Sequence, residues 1–174
     1  MRILGIDPGT RTCGWGVVEA SRPRAKHVAH GAVSLKGELS GRLARLGSEL
    51  DSILLEVRPD VVAVEGVFTH RNARSALLLG HARGVALLCA ARAGLPVSEY
   101  SPATVKRSVA GNGRAEKGQV QMMVAAILGI TTLDNSDAAD ALAIALCHAQ
   151  QVPAMERLAS SRPRRKSTRS GSRK

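Results

Sequence analysis

An α/β fold built on one five-stranded mixed sheet is what this sequence predicts, and three observations predict it. Short apolar runs of strand length alternate with longer stretches of helical period. The first three strand-like runs follow one another too closely for helices to fit between them, which favours antiparallel pairing. The fourth run, at 61–65, is apolar throughout, as a parallel strand covered on both faces should be.

In chain order, residues 2–6 make the first strand, and Asp7-Pro8-Gly9-Thr10 is a turn signal. Strands follow at 14–19 and about 28–35. Leu43, Leu46, Leu50, Ile53, Leu54 and Val57 recur at the helical period and predict a helix over 41–57, which Pro59 stops. Residues 61–65 form the fourth strand. Over 73–93 the chain is helical, and Leu77, Leu78, Leu79, Val85, Leu87 and Leu88 point in too many directions for one buried stripe. Part of this helix is expected to meet another protein surface, with Gly80 and Gly84 permitting close approach; a helix sandwiched inside its own domain is the alternative. Pro96 to Tyr100 is a short fifth strand. Helices follow at about 102–110, 116–128 and 136–149, with Gly111-Asn112-Gly113 as a loop. This is the element order of the ribonuclease H-like fold. It places the fourth strand beside the first, both parallel, in a sheet of order 3-2-1-4-5 flanked by helices.

The 174 residues suit one domain with a full core, expected over 1–152, followed by a basic tail over 153–174. Of the net charge of +11, seven Lys/Arg lie in residues 160–174 with no acid among them, so the rest carries +4. That tail has nothing apolar to bury and reads as disordered. The sign of the charge favours an anionic partner, nucleic acid above all. Cys13, Cys89 and Cys147 have no metal-like spacing and fit a reducing compartment. With no signal-like leader and no apolar run of membrane length, a cytoplasmic protein without membrane contact is expected.

Four acids sit where chain-building does not ask for charge. Asp7 and Glu65 each end an apolar strand, at neighbouring C-terminal ends where ligands of open α/β sheets gather. Asp137 and Asp140 lie in an Ala-rich helix at i and i+3, on one face. Converging carboxylates need compensating charge. Oxygen-ligated divalent cations supply it, and Mg²⁺ suits phosphate substrates. Two such ions about 3.5–4 Å apart would stabilise both the attacking and the leaving oxygen of a phosphodiester displacement. Taken singly, Asp7 could open a turn, Glu65 could pair with a surface Arg, and Asp137 could serve a helix N-terminus. Asp140, among apolar neighbours, has the weakest alternative.

Ile3-Leu4-Gly5-Ile6-Asp7-Pro8-Gly9-Thr10 and Val64-Glu65-Gly66-Val67-Phe68 resemble motifs of the RuvC Holliday-junction resolvases. So do Ser75 to Ala86, the stretch Val105-Lys106 with Gly111 to Gln121, and Asp137-Ala138-Ala139-Asp140-Ala141-Leu142-Ala143. The five motifs occur in order over about residues 2–149. The resemblance implies a homodimeric, Mg²⁺-dependent endonuclease, for which Mn²⁺ could substitute, that nicks two like-polarity strands of a four-way DNA junction symmetrically. It implies work in recombination and repair beside the RuvA–RuvB branch-migration machinery. Asp7 would bridge two ions, Glu65 would hold one, and Asp137 and Asp140 the other. Because some members carry His at the position of Asp137, that ligand is the most replaceable.

Lys106 and Lys117 match lysines near the active site of this family, where an ammonium can offset charge developing on a scissile phosphate; Lys117 ranks first for that role. Arg114 falls in the matching basic region. Phe68, in a loop with Arg71 and Arg74, could stack on an unpaired base. Trp15 and Tyr100 read as structural, and His148 as a helix-end residue. The nearest rival is another ribonuclease H-like nuclease, such as the shorter YqgF relatives. An actin-like ATPase is suggested only by the first motif, and the remaining chain is short for it; a silent junction binder is the third reading.

Overall fold

Five strands pair in the order β3-β2-β1-β4-β5: β1 (Arg2–Asp7), β2 (Thr12–Glu19), β3 (Lys26–Ser34), β4 (Val61–Glu65) and β5 (Val97–Tyr100). β1 runs antiparallel to β2, and β2 to β3, while β1, β4 and β5 are mutually parallel. The helices are α1 (Leu39–Val57), α2 (Ala73–Arg92), α3 (Pro102–Ala110), α4 (Lys117–Leu128) and α5 (Ser136–Ser161). This computed structural model describes residues 1–21, 24–66 and 73–161, with side chains as far as Val152. The expected ribonuclease H-like order of strands is the order observed.

Strand alternation sorts the side chains into two cores. Leu4, Ile6, Val62 and Val64 pack on one face against Leu46, Leu50 and Ile53 of α1 and Ala82, Ala86 and Cys89 of α2. Ile3, Val18, Val61 and Ala63 pack on the other against Val105 of α3, Val120 and Val124 of α4, and Leu142 to Cys147 of α5. Asp7, four residues after Ile3, and Glu65, four after Val61, therefore belong to the α3–α5 face.

α5 lies unusually close to that face because two strands present glycine beneath it. A Cβ at Gly5 would overlap the carbonyl oxygen of Ala141, and one at Gly14 the carbonyl of Asp137. Gly16, paired with Gly5 across the strands, would meet the Leu142 side chain. The helix backbone thus rests directly on the sheet, with its first turn over the end of β1.

Two details depart from the sequence reading. α5 does not end near 149 but continues through Pro153 to Ser161; a proline removes one backbone bond without being bound to end a helix. His148 is not a helix-end residue: it is 4% exposed, and its Nδ1 lies 2.7 Å from the Tyr100 hydroxyl. Burial of both polar groups is tolerable because each supplies the other's partner. Tyr100 is structural, as expected, and Trp15 lies over Gly31 of the neighbouring strand.

α2 buries Ala82, Ala86, Cys89 and Ala90, leaving Leu77 and Leu88 at 64% and 56% exposure. Gly80 and Gly84 look onto open space. Among the described residues the helix is not sandwiched, and an apolar, small-residue stripe faces outward. No helix of the described residues is long and apolar enough to cross a membrane.

Candidate metal centre and active site

Asp7 closes β1 just before Pro8 ends the strand, and its side chain turns toward the first turn of α5. There the side-chain oxygen of Asn135 accepts the backbone N–H of Asp137 (2.9 Å) and of Ala138 (3.1 Å). This amide cap fixes the turn that carries Asp137 and Asp140. Asp7, Asp137 and Asp140 each offer an oxygen within 4.8 Å of the other two. Glu65 falls outside that tight triplet. It lines a cavity of about 170 Å³ with Asp7, Asp140, Lys106 and Lys117, between the sheet end and helices α3 to α5. The donors are hard carboxylate oxygens, which fit Mg²⁺ or Mn²⁺ rather than a soft metal.

The electrostatics fit the same ion. Burial, followed by the charges of Glu65, Asp140 and Asp137, raises the Asp7 carboxyl to about 7, with Lys117 working the other way. A buried carboxylate facing three others is unfavourable until a cation arrives. The adjoining Cys13 thiol is pushed up to about 12, by burial first and then by the charge of Asp7. Lys117, first residue of α4, sets Nζ 2.7 Å from Asp140 Oδ2. That hydrogen bond is the main reason its ammonium titrates above the ordinary lysine value.

A pH dependence follows. An unfolded aspartate titrates near 3.9, whereas Asp7 in the fold titrates near 7. Between these values the folded chain keeps a proton that the unfolded chain gives up. Its stabilising share is therefore full below about pH 4 and is lost as pH rises through about 7. Without divalent metal, the wild-type melting temperature should fall over that window more steeply than that of Asp7→Asn. Parallel melting curves against pH for the two proteins would contradict the shift.

Of the residues singled out from sequence, Asp7, Glu65, Asp140, Lys106 and Lys117 meet at one cavity, and Asp137 joins through Asp7 and Asp140. Arg74, exposed at the start of α2, and Arg114 do not line it. Arg114 sits in the turn before α4, where its backbone N–H donates to Asn112 Oδ1 at 3.0 Å. Phe68 and Arg71 lie outside the described residues. Sequence reasoning missed Asn135 and the glycine seat. An Asn just ahead of Ser136-Asp137 is a capping signal, and glycine inside a strand signals close backbone approach.

A family model described as crossover junction endodeoxyribonuclease RuvC matches residues 3–148. The enzyme of that name from Myxococcus xanthus is 56% identical over 154 residues, 85% of this chain and 80% of that protein. Its namesake from Halorhodospira halophila is 53% identical over 150 residues, covering 85% and 89%. Among solved structures, Thermus thermophilus RuvC in complex with its Holliday junction substrate matches with a TM-score of 0.83 at 37% identity, over 89% of this chain and 96% of that one.

Proposed function

Since the chain belongs to the RuvC family of crossover junction endodeoxyribonucleases, we propose that it resolves Holliday junctions, hydrolysing one phosphodiester in each of two like-polarity strands at the acidic cavity. The observation that carries the reading is the convergence of Asp7, Asp137 and Asp140 within 4.8 Å at the end of β1, with Glu65 lining the adjoining cavity.

Asp7 feels the charges of Glu65, Asp140 and Asp137 together and belongs both to the tight triplet and to the cavity that Glu65 lines, which supports a central role for it in holding two divalent ions, Mg²⁺ or Mn²⁺. Bound there, the ions would supply charge stabilisation at the attacking and leaving oxygens. The chain's own part is to hold its carboxylates at fixed separation, keep the wall of the cavity apolar through Val105, Val120 and Ile144, and bring ammonium groups to the phosphate. Lys117 and Lys106 border the cavity and would offset charge on the transferring group. Phe68, Arg71, Arg74 and Arg114 remain proposed DNA contacts. The outward stripe of Leu77, Gly80, Gly84 and Leu88 supports a homodimer, whose two-fold axis would match that of the junction. Work in the cytoplasm with RuvA–RuvB completes the reading.

Cleavage of a mobile four-way junction, mapped on all four strands beside an RNA–DNA hybrid and a plain duplex, tests it. Paired symmetric nicks on the junction in Mg²⁺ are expected. Preferential cutting of the hybrid or duplex would overturn the substrate assignment in favour of another ribonuclease H-like nuclease.

A further inference from the structure

Lys117 holds a position that its neighbours make consequential. Its ammonium is 2.7 Å from Asp140 Oδ2, and Asp140 is one of the three carboxylates that converge within 4.8 Å. Lys106 lines the same cavity but makes no ion pair among the described residues. One lysine thus balances the acidic cluster while the other stands by.

An ammonium and a divalent cation cannot share Asp140 comfortably. Like charges on one carboxylate lie far inside the screening length of about 8–10 Å, and each weakens the hold of the other. The lysine side chain is 55% exposed and that of Asp140 29%, so the pair opens to water at its lysine end. Solvated pairs of this kind are weak, and the lysine stem, with its four rotatable bonds, can swing aside. We infer that Lys117 is a built-in competitor for the metal: it pairs with Asp140 while the site lacks an ion and yields that carboxylate when one enters. Lys117 already lines the cavity, and once the ion is seated its displaced ammonium is free of Asp140. Lys117 would therefore offer its charge to the phosphate in the loaded state and spend the unloaded state easing repulsion among the acids.

This inference rests on the metal reading of the acidic cluster, and the test separates the two. Mn²⁺ binding to the full chain would be titrated by electron paramagnetic resonance for wild type, Asp7→Asn, Lys117→Met, Lys117→Arg and Lys106→Met, with circular dichroism to confirm folding. Asp7→Asn should lose tight Mn²⁺ binding. Lys117→Met should bind Mn²⁺ roughly two- to fivefold tighter than wild type, the range set by a solvated ion pair. Lys117→Arg should stay near wild type, and Lys106→Met should change less than Lys117→Met. Equal Mn²⁺ binding by wild type and Asp7→Asn would defeat the metal reading itself. If Asp7→Asn loses the ion but Lys117→Met binds it no tighter, or Lys106→Met tightens binding equally, the competition is overturned and the metal reading stands.

Discussion

Asp7→Asn is expected to bind a four-way junction as the wild type does and to leave it uncut. Asn keeps the shape of the side chain at the end of β1 but cannot carry the charge that two cations would share. Lewis-acid stabilisation of a phosphoryl transition state amounts to several kcal/mol, so a loss on the order of 10³-fold in cleavage rate is expected. The same substitution removes the acid that burial and three neighbouring carboxylates raise to about 7. Without metal at neutral pH the variant should therefore melt above the wild type, the usual opposition between stability and activity at such a site. Gel-shift, cleavage and melting measurements on one preparation read all three effects. Cleavage near the wild-type rate would remove Asp7 from the centre of the mechanism. Asp137, which joins the triplet but does not line the cavity, should tolerate replacement better than Asp7.

Gly14→Ala should cost both stability and activity although it replaces no acid. Its new Cβ would overlap the backbone carbonyl of Asp137, and a helix backbone cannot rotate aside as a side chain can. Overpacking a core costs about 1–3 kcal/mol, and a clash with backbone belongs at the upper end. For a chain of this size that lowers the melting temperature by about 6–12 °C. The only relief is for the first turn of α5 to lift, which carries Asp137 and Asp140 away from Asp7. A displacement of about 1 Å in a catalytic arrangement can cost about 10²-fold in rate. Gly41→Ala on α1, with nothing within 4 Å of its new Cβ, is the matched control and should be nearly silent. Unchanged melting and cleavage in Gly14→Ala would mean that α5 is not held by this contact.

Much of this was legible beforehand. The i, i+3 spacing put Asp137 and Asp140 on one helix face, and the order of elements put Asp7 and Glu65 at the ends of apolar runs that pair as parallel neighbours. Lys117 came from resemblance, since nothing in a lone helix-start lysine announces a partner. His148 was misjudged because its partner, Tyr100, is 48 positions away and comes within reach only when β5 and α5 pack.

The sequence by itself determined the order of elements, two acids at strand ends and two on one helix face, because hydrophobic period and turn chemistry act over a few residues. The tertiary structure alone decided how near α5 comes to the sheet. It grouped Asp7 with Asp137 and Asp140 while leaving Glu65 to one side, and it gave Lys117 to Asp140. The physical reason is that a missing side chain acquires meaning only from what lies opposite. Gly5, Gly14 and Gly16 are weak points in two strands until a helix backbone occupies the space they leave.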